Sequence, residues 1–378
     1  MVPERQLDEY QLEVLRKCGV LQGANQWIQG FAGSGKSVLV IHAVQRILAA
    51  NPGTTVCVAV YTHALKQLLA SGLAEKYRNV PVMTHLQLLN KSGSRYDVLV
   101  VDEVQDIPSE QLTRLRAMAD RLIVAGDADQ SIYEQSGRPD DVVDILKPEV
   151  YRLTTIHRLT KRLIDIVRTI LPGAAIEGAR TGRMQEVQVT LAKADRSADE
   201  TEWVWQQCCR YSKHSAPAAV LFPSHDEVQS FMRSVASRCG VPAPVFRVDQ
   251  KRNYDIANNH FQEHGVPLRY LGNSFGDLEE SDTRPLTYVM TYHSAKGLDF
   301  NTVFLPTLNS GQTFWRGNED ISRRLFFVAS TRSRCYLFLS YSSAQPHSYV
   351  MDMPQHLLHK QPCSPSGSET ALFEDIPF

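Results

Sequence analysis

The residues best suited to chemistry lie in Gly30-Phe31-Ala32-Gly33-Ser34-Gly35-Lys36-Ser37, a glycine-rich run closed by a lysine and a hydroxyl. Placed between a strand and a helix, such a turn aims successive backbone N–H groups at one point. The helix N-terminus adds its positive dipole end, so a phosphate fits there. Lys36 then reaches the β- and γ-phosphates and the Ser37 hydroxyl sits on Mg²⁺. A second segment, Val98-Leu99-Val100-Val101-Asp102-Glu103-Val104-Gln105-Asp106, ends an apolar run with acids. At the carboxyl edge of a parallel sheet, beside a phosphate loop, Asp102 holds Mg²⁺ through water, and Glu103 orients and deprotonates the attacking water. Together the two segments point to hydrolysis of a nucleoside triphosphate.

Elements at the right places are needed to carry these residues. A strand over 25–29 precedes the loop and a helix follows from residue 38. Strands are expected over 55–60, 97–101 and 121–125, with helices over 7–15, 64–70 and 111–119. Continuous Val/Ile/Leu runs separated by helical patterns mark a parallel α/β sheet. Gly137-Arg138-Pro139-Asp140 interrupts this series, so a first domain is expected over 1–146. The alternation then resumes with strands over 150–154, 187–191, 218–222, 287–291, 302–305 and 335–340. Helices are expected over 161–170, 200–211, 227–238 and 321–329. This second domain is expected over 147–352, with 243–285 too polar and aperiodic to assign. From 353 to 378 Pro, Ser, Gly and His predict a flexible tail.

The 378 residues suit two domains, each long enough for its own core. A net charge of −1 gives no global sign of a polyanion partner, so any nucleic-acid contact must use a local basic groove. The seven cysteines form no C-x-x-C pair, which fits reduced thiols and no metal cluster. No apolar signal core and no membrane-length run is present, so the expected location is cytoplasmic.

Seven segments occur in a telling order: Gln11; the loop at 30–37; Asp102 to Asp106; Gly126 to Tyr133, containing Gln130; Ile156-His157-Arg158; Thr291 to Phe300; and Arg324 to Arg332. This series resembles the superfamily 1 helicases of the UvrD/Rep type. The resemblance implies two RecA-like P-loop domains with parallel sheets and ATP in the cleft between them. It implies that Gln11 reads the adenine edge and that Gln130 senses the γ-phosphate. Arg158 and Arg332 would reach across as arginine fingers, stabilising charge on the transferring phosphoryl group. His157 would stack on the base where the family has Tyr. Lys296 and Gly297 would contact nucleotide, and Asp299, where the family has Glu, would hold the ribose. Tyr61, Thr62, His63, Thr84, His85, Thr291 and His293 would line a path for single-stranded DNA, or for RNA, with Tyr61 stacking on bases.

The chain departs from that family after Tyr133, where Glu134-Gln135-Ser136-Gly137 replaces an aromatic and an Arg. The intervals from Ser37 to Asp102 and from Arg158 to Thr291 leave no room for large accessory subdomains. The sequence therefore reads as a stripped translocase or helicase core, with 3′→5′ polarity by analogy. A rival reading is a nucleotide-gated regulatory subunit of a multi-protein repair or genome-defence complex. The terminal Asp375-Ile376-Pro377-Phe378 resembles the acidic tip of bacterial single-stranded-DNA-binding proteins and is expected to dock a protein partner. Trp203, Trp205 and Trp315 read as packing or rim residues.

Overall fold

A computed structural model describes residues 2–20, 23–31, 33–91, 93–127, 139–157, 159–171, 180–181, 186–248 and 251–363. Gln130, Arg158, Ala32 and the tip at 375–378 lie outside these residues. The first lobe is a sheet of six strands: β1 (Gln26–Gly30), β2 (Val56–Val60), β3 (Val82–Thr84), β4 (Tyr96–Val101), β5 (Ala119–Gly126) and β6 (Glu149–Leu153). Their order is β3-β2-β4-β5-β1-β6 and every pairing is parallel. Alternate residues of each strand point to opposite faces. Ile28, Val58, Val60, Val98, Val100 and Ile123 pack beneath the helices Glu9–Cys18 and Lys36–Ala50. Trp27, Cys57, Ala59, Leu99, Val101 and Val124 pack on the other face with residues of the helices Ser109–Ala117 and Pro139–Leu146. Burial on both faces explains why these strands read as unbroken apolar runs.

Short strands β7 (Thr155–Ile156) and β8 (Arg180–Thr181) pair in parallel after the first sheet. The second sheet holds β9 (Gln188–Lys193), β10 (Ala218–Phe222), β13 (Leu268–Tyr270), β14 (Thr287–Thr291), β15 (Phe300–Leu305), β16 (Ser333–Tyr341) and β17 (His359–Pro362). A two-stranded antiparallel hairpin, β11 (Arg247–Val248) and β12 (Lys251–Arg252), stands apart from it. The order β13-β14-β10-β15-β16-β9-β17 is again wholly parallel. The fold is thus α/β with two parallel-sheet lobes, as expected. Phe31 and Leu68 of the first lobe pack against the core of the second, so the lobes share apolar contact as well as a cleft.

Two sequence expectations need correction. The strand expected at 150–154 falls in the second domain by the expected boundary at 147. It pairs instead with β1, in register from Gln26–Glu149 to Gly30–Leu153, and closes the first sheet. Periodicity marks a strand but carries no information about its partner. Residues 353–363, expected to belong to a flexible tail, are instead built into the second lobe. Met353 and Leu358 are buried, and β17 adds to β9 as an edge strand before Cys363. Only one row of an edge strand is covered, so its composition stays polar and resembles a loop. The unassigned stretch 243–285 contains the helix Tyr254–Glu263 and β13, with Tyr254 and Tyr270 stacked at 3.6 Å.

Candidate nucleotide site between the two lobes

Because the strands of the first sheet are parallel, the carboxyl ends of β1 and β4 lie on the same edge, separated by β5. The loop leaving β1 and the acids ending β4 therefore meet. The Ser37 hydroxyl donates to Asp102 Oδ2 at 2.7 Å. The helix starts at Lys36 behind Gly35, whose φ of 91° is left-handed and natural only to glycine. A Cβ at Gly35 would also stand 2.6 Å from Gln11 Nε2. Lys36 Nζ donates to the carbonyls of Gly30 (2.7 Å) and Phe31 (2.9 Å), which folds the ammonium into the loop.

A first-lobe clamp holds this loop. Gln11 Nε2 donates to Ser34 O at 2.9 Å, and Gln11 and Asp8 form a reciprocal capping box. The second Asp8 oxygen faces His157 Nε2 at 3.1 Å, and the His157 N–H donates to Gly33 O at 2.9 Å. Gln11 and His157 thus lie beside the loop, and Gln11 spends its amide on the loop backbone and on the Asp8 N–H.

The acids occupy unequal environments. Burial, reinforced by the neighbouring Glu103 charge, pushes the Asp102 carboxyl up to about 6, against the pull of Ser37 and Lys36. For Glu103 burial also opposes ionisation, but Lys296 and Lys36 outweigh it and hold this carboxyl below its usual range. The last proton of the pair therefore rests on Asp102, and Glu103 is the ready acceptor. Glu103 adopts φ 56°, ψ 44°, a left-handed conformation uncommon outside glycine and of the kind stored at functional sites. Gln105 Nε2 donates to Glu103 Oε2, while Gln105 Oε1 accepts the Asp127 N–H at 3.0 Å. Gln105 thereby aims the acid.

The second lobe supplies the opposite wall. A cleft of about 730 Å³ is lined by Gly33, Gly35, Lys36, Ser37 and Glu103 on one side. Gly297, Asp299, Arg332 and Arg334 face them, with His157 at the rim. Arg332 is 2% exposed, and its guanidinium donates to Val328 O, Leu298 O and Thr331 Oγ1, which fixes its direction. Its charge reaches Glu103. Asp299 pairs with Arg334 Nε at 2.6 Å, a cation the sequence reading did not single out. Lys296 turns toward the first lobe, 2.5 Å from Asp106 Oδ2 and 3.9 Å from Glu103 Oε2. A depression of about 690 Å³ beside β17, lined by Leu191, Lys193, Lys360 and Pro362 among others, offers no comparable set of groups.

The candidate nucleic-acid residues also sit at strand ends. Tyr61 stacks on His85 at 4.9 Å and 20°, so one ring face is already covered. The hydroxyls of Thr62 and Thr84 cap helices, accepting the N–H groups of Leu65 and Gln87. Thr84-His85-Leu86-Gln87 is a capping-box pattern, so that role was readable from sequence. Thr291 Oγ1 donates to Ser294 Oγ at 3.0 Å. Burial holds His63 below the usual imidazole range and, with Lys296 and His225, takes His293 down to about 4. Sequence reasoning missed Arg334, Gln105 and Asp106, whose roles depend on groups remote in the chain. Among the described residues no helix is long and apolar enough to cross a membrane.

Residues 6–189 match a family model described as an AAA domain, and residues 271–344 match one described as a UvrD-like helicase C-terminal domain. No curated protein matches the sequence. Among solved structures, the PRRSV helicase is similar at 13% identity and TM-score 0.46, over 88% of this chain and 54% of that one. Arterivirus nonstructural protein 10, a helicase in complex with DNA, is similar at 14% identity and TM-score 0.42, over 87% of this chain and 63% of that one. The C-terminal domain of a possible DNA helicase from Lactobacillus plantarum is similar at 16% identity and TM-score 0.36, over 54% of this chain and 98% of that one. This chain therefore spans little more than half the length of the first two. The AAA-domain match thus runs through the first lobe and the UvrD-like helicase C-terminal match covers part of the second, with the candidate cleft lying between them.

Proposed function

We propose that the chain is an ATP-hydrolysing motor on single-stranded DNA, moving 3′→5′ and separating duplex poorly without a partner. The observation that carries this reading is the two-lobed cleft. Lys36, Ser37 and Glu103 come from one sheet, and Asp299 and Arg332 from the other. Only a ligand touching both walls can make lobe position depend on its own chemical state.

The site suits a magnesium-bound triphosphate. Ser37 Oγ and Asp102 Oδ2, already 2.7 Å apart, are a hydroxyl and a carboxylate of the kind that hard cations take, and a cation would restore the charge that burial suppresses on Asp102. Magnesium bound there supplies charge neutralisation of the phosphate oxygens. Lys36 would leave the carbonyls of Gly30 and Phe31 for phosphate. Glu103, ionised and aimed by Gln105, accepts the proton of the attacking water. Arg332 faces the developing charge from the second lobe. Lys296, in the turn that follows β14 and carries His293, pairs with Asp106 and faces Glu103, which would couple cleft opening to the strand path.

Steady-state ATPase measurements test this. Oligothymidylate should stimulate turnover, and Lys36→Ala should abolish it. Stimulation by RNA instead would reassign the track. Turnover that responds to neither polymer would favour a nucleotide-gated regulatory subunit.

A further inference from the structure

Three of the four tryptophans are core residues: Trp27, Trp203 and Trp205 are 1%, 3% and 7% exposed. Trp315 is different. It lies in the connection after β15 and is half-buried, with the exposed Arg316 next to it. Its backbone is fixed from both sides, its N–H donating to Ser322 Oγ at 3.0 Å and its carbonyl accepting the Ser322 hydroxyl at 3.0 Å. Part of the side chain rests on the second-lobe core.

Beside it stands His293, with ring centroids 5.1 Å apart and planes inclined by 53°. His293 follows β14 at the same carboxyl edge of the sheet. Its position is also rigid. Gly272 lies so close to the following Ser294 that an added Cβ would meet Ser294 Oγ at 2.5 Å. The imidazole is uncharged at neutral pH, because burial first, then Lys296 and His225, disfavour its protonation. Two uncharged aromatic rings on stiff backbone, one partly open to solvent and flanked by an exposed arginine, form a surface for a flat π system carrying phosphate. A tryptophan serving only the core would be covered as the other three are.

We propose that Trp315, with His293 beside it, is a stacking seat for one nucleobase of a single strand crossing the carboxyl edge of the second sheet. The inference rests on the nucleic-acid reading above and adds Trp315 to it. Stacking of this kind accepts any base, because every base has a π face.

Intrinsic emission and anisotropy of labelled oligothymidylate, about a dozen nucleotides long, test it at one fixed salt concentration. Binding should quench part of the tryptophan emission of the parent chain. Trp315→Phe should bind within a few-fold of the parent and show no quench. Trp315→Ala should bind about 5- to 150-fold more weakly, the range expected for loss of one base–aromatic stack. Should the alanine variant misfold, the phenylalanine variant still decides, because its quench depends on Trp315 alone. Tight binding with unchanged emission, or a quench surviving in Trp315→Phe, overturns the seat and leaves the motor reading intact. No binding of oligothymidylate or RNA by the parent overturns both.

Discussion

Asp106→Ala removes one member of the ion pair that crosses between the lobes. Lys296 Nζ lies 2.5 Å from Asp106 Oδ2, and both residues are 1% exposed. That burial sets the scale. An exposed pair contributes about 0–1 kcal/mol, whereas deleting one partner of a buried pair costs about 3–5 kcal/mol, because the remaining charge stays desolvated. After the substitution Lys296 still faces Glu103 at 3.9 Å, which keeps the expected loss near the lower figure of about 3 kcal/mol. Replacing both residues with apolar ones, Asp106→Leu with Lys296→Met, should recover most of it, since a buried ion pair and a well-packed apolar pair are often close in free energy. Urea unfolding followed by circular dichroism, on the parent, each single variant and the double variant, gives the coupling directly. The recovery should be structural only. Lys296 is the strongest favourable charge at Glu103, so both Lys296→Met chains should turn over ATP slowly. Single variants within about 1 kcal/mol of the parent would mean that the pair is solvated and the lobes are not joined there.

Other outcomes follow from the same geometry. Glu103→Gln should retain ATP binding and lose on the order of 10²–10⁴ in turnover, read by pre-steady-state and steady-state ATPase assays. Gly126→Ala would put a Cβ 2.3 Å from Gln105 Oε1 and 2.9 Å from Val104 Cγ1, so Gln105 must shift. Nucleotide affinity should be nearly unchanged while kcat falls about 10²-fold, the scale for a catalytic group misplaced by about an ångström. His293, neutral in the folded chain with a value near 4 against the usual 6.5, binds fewer protons folded than unfolded in that window. Stability should therefore rise from pH 4 to 6.5 and level off above. This residue accounts for up to about 3 kcal/mol of the change, and His293→Asn should flatten the slope.

The nucleotide loop and the acid pair were legible in the sequence because each is a short contiguous segment whose chemistry is written in residue type and spacing. Parallel-strand packing then brings Ser37 to Asp102 without further information. What stayed hidden depends on partners far along the chain. Nothing local to Glu149–Leu153 tells it to pair with β1, and nothing local to His359–Pro362 tells it to extend β9. Asp106 and Gln105 are plain polar residues until Lys296 and the Asp127 N–H arrive beside them. Trp315 reads from sequence as a packing or rim residue, because only the fold shows His293 next to it and the other three tryptophans covered. The hydroxyls of Thr62 and Thr84, expected along the strand path, also cap helices.

The most direct measurement is the ATP turnover of Arg332→Gln in the presence of saturating oligothymidylate, with nucleotide affinity and melting temperature recorded alongside. A second-lobe guanidinium acting on a triphosphate held by Lys36 predicts a fall in kcat on the order of 10³-fold or more, with binding and fold retained. Turnover within about tenfold of the parent would contradict catalysis across the cleft.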